Sequence, residues 1–267
     1  SITQLYLAAL IPGVMLALLF SLAVLVICVM RPEMTGRAER VGWAARLRGL
    51  RALAAPMALF TVVVGSIYAG IATPTEAAAL GVLAALAIAA SRRALSFAAL
   101  IAALEGTMRV TAMVMLIVLA AFFLNFVMVS IGLTGAITDA MRSLDLAPAA
   151  VMLILVAIYL LLGCFMETLS LMIATTPIVT PVVAALGYDL VWFGVLFMIL
   201  IEAALITPPI GVNLFVVQSV RATSAPGPIR EVMLGALPFL AMMLAMLFLL
   251  IAWPGLALWL PQMFFSQ

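Results

Sequence analysis

The sequence predicts an all-α integral membrane protein, a polytopic helical bundle, on three observations. The 267 residues are 68% hydrophobic and only 8% charged, where a soluble domain carries roughly 45–50% apolar and about 25% charged residues. The apolar residues come in windows of about 20 without a charge, the length that crosses a hydrocarbon layer of roughly 30 Å as helix. Those windows are continuous, whereas the strands of a transmembrane barrel would alternate every second residue.

The first span is expected from about Leu5 to Met30, ending at Arg31. It is too long for the apolar core of a cleavable leader and no charged residue precedes it, so the chain is expected to start in mid-protein. Arg31 to Arg51 holds six arginines against Glu33 and Glu39 and reads as the one substantial hydrophilic loop, suited to anionic lipid headgroups. A second span is expected from Leu53 to about Ala72 and a third from Thr73 to Ala90, ending at Arg92 and Arg93. Thr73-Pro-Thr-Glu76 has the form of a capping box with proline at the first helical position, which makes Glu76 structural. Ser96 to Arg109 sets Phe97, Leu100, Ile101, Leu104 and Met108 at helical spacing against Glu105 and Arg109, the pattern of a segment lying in the interface. Glu105 and Arg109 also stand in the favourable i,i+4 order for an ion pair. Thr111 to Leu133 is a clean span.

The remaining spans follow from charge. All twelve basic residues are arginine, and positive charge marks the cytoplasmic side. Placing Arg31–Arg51 inside puts Arg92 and Arg93 inside too, and leaves the 134–148 loop, with Asp139, Arg142 and Asp145, outside. Arg221 and Arg230 must then return inside, which requires an odd number of crossings between Ala149 and Arg221. A re-entrant hairpin from about Ala149 to Leu186, followed by one interrupted crossing from Asp189 to Val220, meets that condition. A last span from Val232 to Trp253 leaves an uncharged tail outside.

Backbone irregularity at membrane depth is tolerated only inside protein or along a polar cavity, so function is expected at two stretches. In Thr207-Pro-Pro-Ile-Gly-Val-Asn213, the prolines at 208 and 209 would release the carbonyls of Ala204 and Leu205. Gly211 permits a non-helical turn, while Thr207 and Asn213 add a hydroxyl and an amide oxygen. Freed carbonyls with neutral side-chain oxygens suit an alkali cation at a broken helix; a plain proline kink is the structural alternative. In the hairpin, Gly163-Cys-Phe-Met-Glu-Thr-Leu-Ser170 with Thr175-Thr-Pro-Ile-Val-Thr-Pro181 behind it puts Glu167, Thr168 and Ser170 where an apolar tip would cost less. An ionisable group at that depth points to function, although Glu167 could equally cap a half-helix. Glu202 either faces the polar pathway or pairs with a neighbour.

Other chemistry is excluded or bland. His and Lys are absent, which removes histidine acid–base and metal chemistry. Cys28 and Cys164 lie in apolar runs without CxxC spacing and read as packed thiols. Trp43, Trp192, Trp253 and Trp259 fit interfacial anchors, and the methionines fit packing. An intramembrane enzyme using Glu167 or Glu202 would lack a second acid or base at close spacing. Nothing points to nucleic acid.

At these motifs the chain resembles the large membrane subunit, the M or DctM-type permease, of tripartite ATP-independent periplasmic (TRAP) transporters. The likeness rests on SITQLYLAALIPGVML from Ser1, GIATPTEAAALG from Gly70, GCFMETLSLMIATTPIVTP from Gly163, and GYDLVWFGV with LITPPIGVNLF between Leu186 and Phe215. It runs over essentially the whole chain but matches only the later part of that family. The earlier half, with its own hairpin and interrupted helix, has no counterpart, and no internal repeat is found. The expected organisation is therefore the last helix of a first repeat (1–30), the arginine-rich cytoplasmic loop (31–51), scaffold helices (52–95), an amphipathic arm and following span (96–133), a transport-domain hairpin and broken helix (134–222), and a last span with tail (223–267).

The resemblance implies a multi-pass permease of the bacterial inner membrane, working as an elevator. Such a permease imports organic acids, of the C4-dicarboxylate or sialic-acid type, on a sodium gradient. Its partners would be a small Q-type membrane subunit, a P-type periplasmic substrate-binding protein and membrane lipid. Carried onto this chain, it implies a sodium site from Thr207, Pro208, Gly211 and Asn213 facing Thr168 and Ser170, with Glu167, Thr168 and Ser170 toward substrate. Each sodium ion moved inward gains about 2.3 kcal/mol per 100 mV of potential. Two alternatives stand beside it: a sodium/dicarboxylate carrier that needs no binding protein, and a non-transporting scaffold fragment.

Overall fold

The computed structural model describes residues 1–32, 42–132, 135–136, 147–166, 168–224 and 227–265. The described chain is helical: α1 (Ile2–Met30), α2 (Trp43–Tyr68), α3 (Pro74–Ser91), α4 (Phe97–Ser130), α5 (Pro148–Gly163), α6 (Thr168–Ala185), α7 (Leu190–Leu205), α8 (Val212–Ser224), α9 (Ile229–Ala252) and α10 (Gly255–Phe265). Five of these, α1, α3, α4, α6 and α9, are long and apolar enough to cross a membrane, while α5, α7 and the 53–68 part of α2 are shorter apolar helices. Asp139, Arg142 and Asp145, Glu33 and Glu39, and Glu167 lie outside the described residues.

Local signals explain several boundaries. The capping box forms as expected: the Glu76 amide donates to Thr73 Oγ1 at 3.4 Å, and the Thr73 amide donates to the Glu76 carboxylate at 2.8 Å. At the start of α7, Asp189 caps the helix by accepting from the amides of Val191 (2.7 Å) and Trp192 (3.1 Å), which satisfies two of the four donors a helix leaves unpaired.

Four elements differ from expectation. The end of the arginine-rich stretch is helical, because α2 starts at Trp43; Arg, Leu and Ala all favour helix, so polarity there does not break it. The amphipathic segment and the span after it form one helix, α4, of 34 residues, about 51 Å long at 1.5 Å per residue. Glu105 and Arg109 change the polarity of that helix without interrupting its backbone, and no ion pair joins them; among the described residues the ion pair is Arg221–Glu231. Trp192 is no interfacial anchor: it is fully buried and its indole donates to the Leu250 carbonyl at 2.9 Å. The tail after Trp253 folds into α10.

The chain divides into two compact units. In the first (1–3 and 31–111), α2 and α3 pack as a pair joined by a five-residue connection, and close approach is possible because position 81 is glycine; a Cβ there would stand 2.8 Å from Val63 Cγ2. In the second (4–30 and 112–267), α7 is the central helix, packed by α5, α6, α8, α9 and α10. Its residues Trp192, Leu196, Leu200 and Ile201 are buried against Met152 of α5, Leu171 and Val183 of α6, and Met246 and Leu250 of α9. Most other large apolar side chains are exposed, as expected where the surrounding solvent is hydrocarbon.

Candidate functional site: a broken helix against a hairpin turn

Helices α5 and α6 form the arms of a hairpin. A polar link joins them: buried Tyr159 donates from its hydroxyl to Thr175 Oγ1 at 2.6 Å, and Thr175 donates onward to the Leu171 carbonyl at 2.7 Å. The Tyr159 ring packs edge-on to Phe197 of α7, with centroids 4.8 Å apart. Thr176 likewise turns its hydroxyl back to the Met172 carbonyl at 2.6 Å. Pro177 and Pro181 lie within α6 and leave the carbonyls one turn earlier without their helical donors.

The interrupted crossing is present as two helices, α7 and α8, separated by residues 206–211. The Pro208–Pro209 peptide is cis, and Gly211 has φ +24°. A Cβ at Gly211 would stand 2.9 Å from the Leu205 carbonyl oxygen and 3.0 Å from that of Thr207, so two backbone oxygens converge on a position only glycine fits. The two carbonyls expected to be freed differ: that of Ala204 accepts the Thr207 amide at 3.1 Å. Thr207 also turns its hydroxyl back to the Ala203 carbonyl at 2.7 Å, closing the last turn of α7 where the prolines would have left it open.

The hairpin turn lies against this break, and two residues outside the expected set bring it there. Gly163, at the end of α5, meets Ala204 so closely that a Cβ on it would stand 2.4 Å from the Ala204 Cβ. Buried Cys164 donates to the Leu160 carbonyl at 3.1 Å, and its sulfur lies 3.6 Å from the Thr207 carbonyl oxygen and 3.9 Å from that of Pro208. Small residues such as Gly163 and Ala204 let membrane helices approach closely. Nothing in the sequence said which small residues would meet.

Among the expected site residues, Thr207 and Pro208 thus meet the hairpin turn, and Gly211 sits beside the Thr207 carbonyl. Thr168 and Ser170 are half-buried in the first turn of α6. Asn213 stands in the first turn of α8. It lines a cavity of about 540 Å³ whose walls come from α1 (Leu16, Phe20), α7 (Glu202), α8 (Leu214, Val217) and α9 (Gly235, Ala236, Phe239, Met243), together with Ile206 of the break. Neither Thr168 nor Ser170 belongs to that lining. Glu202 is exposed and borders that almost wholly apolar cavity, and among the described residues it takes part in no ion pair.

The sequence profile of the family described as the tripartite ATP-independent periplasmic transporter, DctM component, matches residues 1–256. The C4-dicarboxylate TRAP transporter large permease protein DctM of Vibrio cholerae is 28% identical over 98% of this chain. The ectoine/5-hydroxyectoine TRAP transporter large permease protein UehC of Ruegeria pomeroyi is 30% identical over 100% of it, and the sialic acid TRAP transporter large permease protein SiaM of Vibrio cholerae is 29% identical over 99%. The chain spans 61% of the length of each of these three relatives.

Proposed function

The chain belongs to the DctM component family of tripartite ATP-independent periplasmic transporters, and on that premise we propose that it forms part of the permease of a sodium-coupled secondary transporter importing organic acids across the bacterial inner membrane. The observation that carries the reading is the break between α7 and α8 held against the hairpin turn, with Cys164 sulfur 3.6 Å from the Thr207 carbonyl oxygen. Neutral oxygens at an interrupted helix are what a dehydrated sodium ion requires. The convergence of the Leu205 and Thr207 carbonyls at Gly211 supports that ligand set, with Pro208 shaping the break and Thr168, Ser170 and Asn213 as the further ligands carried over from the family.

The first turn of α6 supports the substrate class. Thr168 opens that helix and Ser170 follows within the turn, where the positive end of the helix dipole favours an anion. A carboxylate bound there would be contacted by the hydroxyls of Thr168 and Ser170, with Glu167 adjoining in sequence. Helix α5, a shorter apolar helix about 24 Å long by residue count, falls short of a hydrocarbon layer of roughly 30 Å, which supports its reading as one arm of a re-entrant hairpin. In this reading the hairpin and broken helix move as an elevator past the scaffold helices α2 and α3. The substrate arrives on a periplasmic binding protein, and a small membrane subunit completes the permease. C4-dicarboxylates and sialic acids, named for two of the relatives above, are the substrates to try first.

The test is uptake by proteoliposomes that contain this chain with candidate small-subunit and binding-protein partners, under an inward sodium or potassium gradient. The reading expects uptake with sodium only, lost with Asn213→Ala. Equal uptake under both gradients, or sodium dependence unchanged in the variant, refutes the sodium assignment. Uptake without a binding protein identifies the carrier that works alone.

A further inference from the structure

The arginine-bearing end of the α2–α3 pair carries an inference separate from the transport of acids. Packed together and joined by five residues, the two helices are antiparallel neighbours, so the start of α2 and the end of α3 lie at the same end. Gly81 stands against Val63, and counting outward from that contact at equal rise sets position 93 level with about position 51. The first residues of α2, from Trp43 on, therefore overhang α3 by about 12 Å. In that overhang Trp43, Leu47 and Leu50 recur at i, i+4 and i+7, along one helix face, and are 78%, 62% and 59% exposed. Positions 46 and 51, both arginine, fall in helical register on the two flanks of that face.

The end of α3 adds two more arginines, one of them in an uncommon conformation. The Arg93 amide donates to the Ala90 carbonyl at 3.0 Å and the Ala94 amide to that of Ala89 at 2.9 Å, the bond pattern of a Schellman turn, whose left-handed position usually belongs to glycine. Arg93 occupies that position with φ +54°. Glycine would end the helix without the clash that a Cβ meets there, and a residue held against backbone preference points to function. Arg92 and Arg93 are exposed and, among the described residues, join no ion pair. The acid within α2 and α3 is Glu76, held in the capping box at the opposite end. Phe97, just beyond the turn, is 79% exposed.

A soluble anion would satisfy the arginines but leave the apolar face in water. A zwitterionic lipid would cover the face without neutralising the charge. We propose that this end of the α2–α3 pair is a binding site for an anionic phospholipid, whose phosphate lies at Arg92 and Arg93 and whose acyl chains cover Trp43, Leu47 and Leu50. An apolar stripe flanked by positive charge is the pattern that settles in the headgroup layer, and basic clusters beside membrane helices attract anionic lipids. Bound lipid would hold the α2 overhang in the interface.

The probe is dibrominated phosphatidylglycerol, with dibrominated phosphatidylcholine as its zwitterionic counterpart, in phosphatidylcholine nanodiscs that hold the purified chain. Bromine quenches tryptophan fluorescence on contact. The proposal expects saturable quenching that is stronger with phosphatidylglycerol, an excess that Trp43→Phe removes and soluble glycerol phosphate does not displace. Arg92→Gln combined with Arg93→Gly should weaken the excess binding by about tenfold or more, because two charges near the headgroups are lost. Glycine at 93 also relaxes the left-handed turn, so this variant should keep its apparent Tm. Equal quenching by the two lipids, an excess that survives Trp43→Phe, or one unchanged in the folded arginine variant overturns the proposal. Displacement by glycerol phosphate identifies a free-phosphate site and overturns the lipid assignment. If the double variant fails to fold, an unchanged excess in Arg93→Gly alone decides against it.

Discussion

Replacing Gly163 by alanine tests the contact that brings the hairpin to the broken helix. The added methyl would stand 2.4 Å from the Ala204 Cβ and 3.5 Å from Leu171 Cδ2. Carbon atoms pack at about 3.5–4.0 Å, so the end of α5 must retreat from α7 by about 1.1–1.6 Å. Ala204 is fully buried and sits in the last turn before the break, so the strain falls on backbone rather than on a pliable side-chain end. Overpacking of this kind costs about 1–3 kcal/mol, equivalent to a fall in apparent Tm of about 2–10 °C for a chain of this size. The assay is thermal unfolding in detergent of the wild type, Gly163→Ala, Ala204→Gly and the double variant. Ala204→Gly alone should cost about 1 kcal/mol or more as glycine in a helix, yet in the double variant it removes the clash, so the two changes should couple by at least about 1 kcal/mol. A Tm for Gly163→Ala within error of wild type, or strictly additive effects in the double variant, refutes the close approach.

Two further perturbations address the hairpin and the first unit. Tyr159→Phe keeps the ring against Phe197 but removes the bond to Thr175; it should lower stability by about 0.5–1.5 kcal/mol, seen as a modest fall in apparent Tm, while a loss above 3 kcal/mol would mean that the ring had moved. Thr73→Ala deletes the capping box at the start of α3 and should cost about 0.5–2 kcal/mol, with faster amide exchange at Glu76 and Ala77 and unchanged exchange in α7. Unchanged protection at Glu76 would show that the cap contributes nothing there.

The parts legible in the sequence were those written locally. Apolar runs longer than a membrane is thick announce spans, the pair at Pro208 and Pro209 announces a break, and Thr73 with Glu76 announces a helix start. Each of these depends on residues within a few positions of one another. Boundaries set by polarity were read less well: Glu105 and Arg109 looked like the end of an amphipathic segment, yet a helix backbone tolerates charged side chains, and α4 runs through them. Trp192 shows a related failure. Its place at the start of a helix suits an interfacial anchor, but a carbonyl 58 residues away supplies the indole's partner and draws it into the core. The roles of Gly163 and Cys164 were illegible for the same reason, since each acquires meaning only from residues more than 40 positions on. Asn213 and Glu202 were both singled out, but their shared cavity arises from α1 and α9, which the local motif does not contain.

Sodium binding at the break is tested most directly by the reactivity of Cys164, whose sulfur touches the Thr207 and Pro208 carbonyls. In a Cys28→Ala background, alkylation of Cys164 by a small maleimide is followed in sodium and in potassium at equal ionic strength. A site at the break predicts that sodium slows the reaction saturably while potassium does not, and that Asn213→Ala removes the difference. Equal rates in the two ions at all concentrations would contradict a sodium site between the hairpin turn and the broken helix.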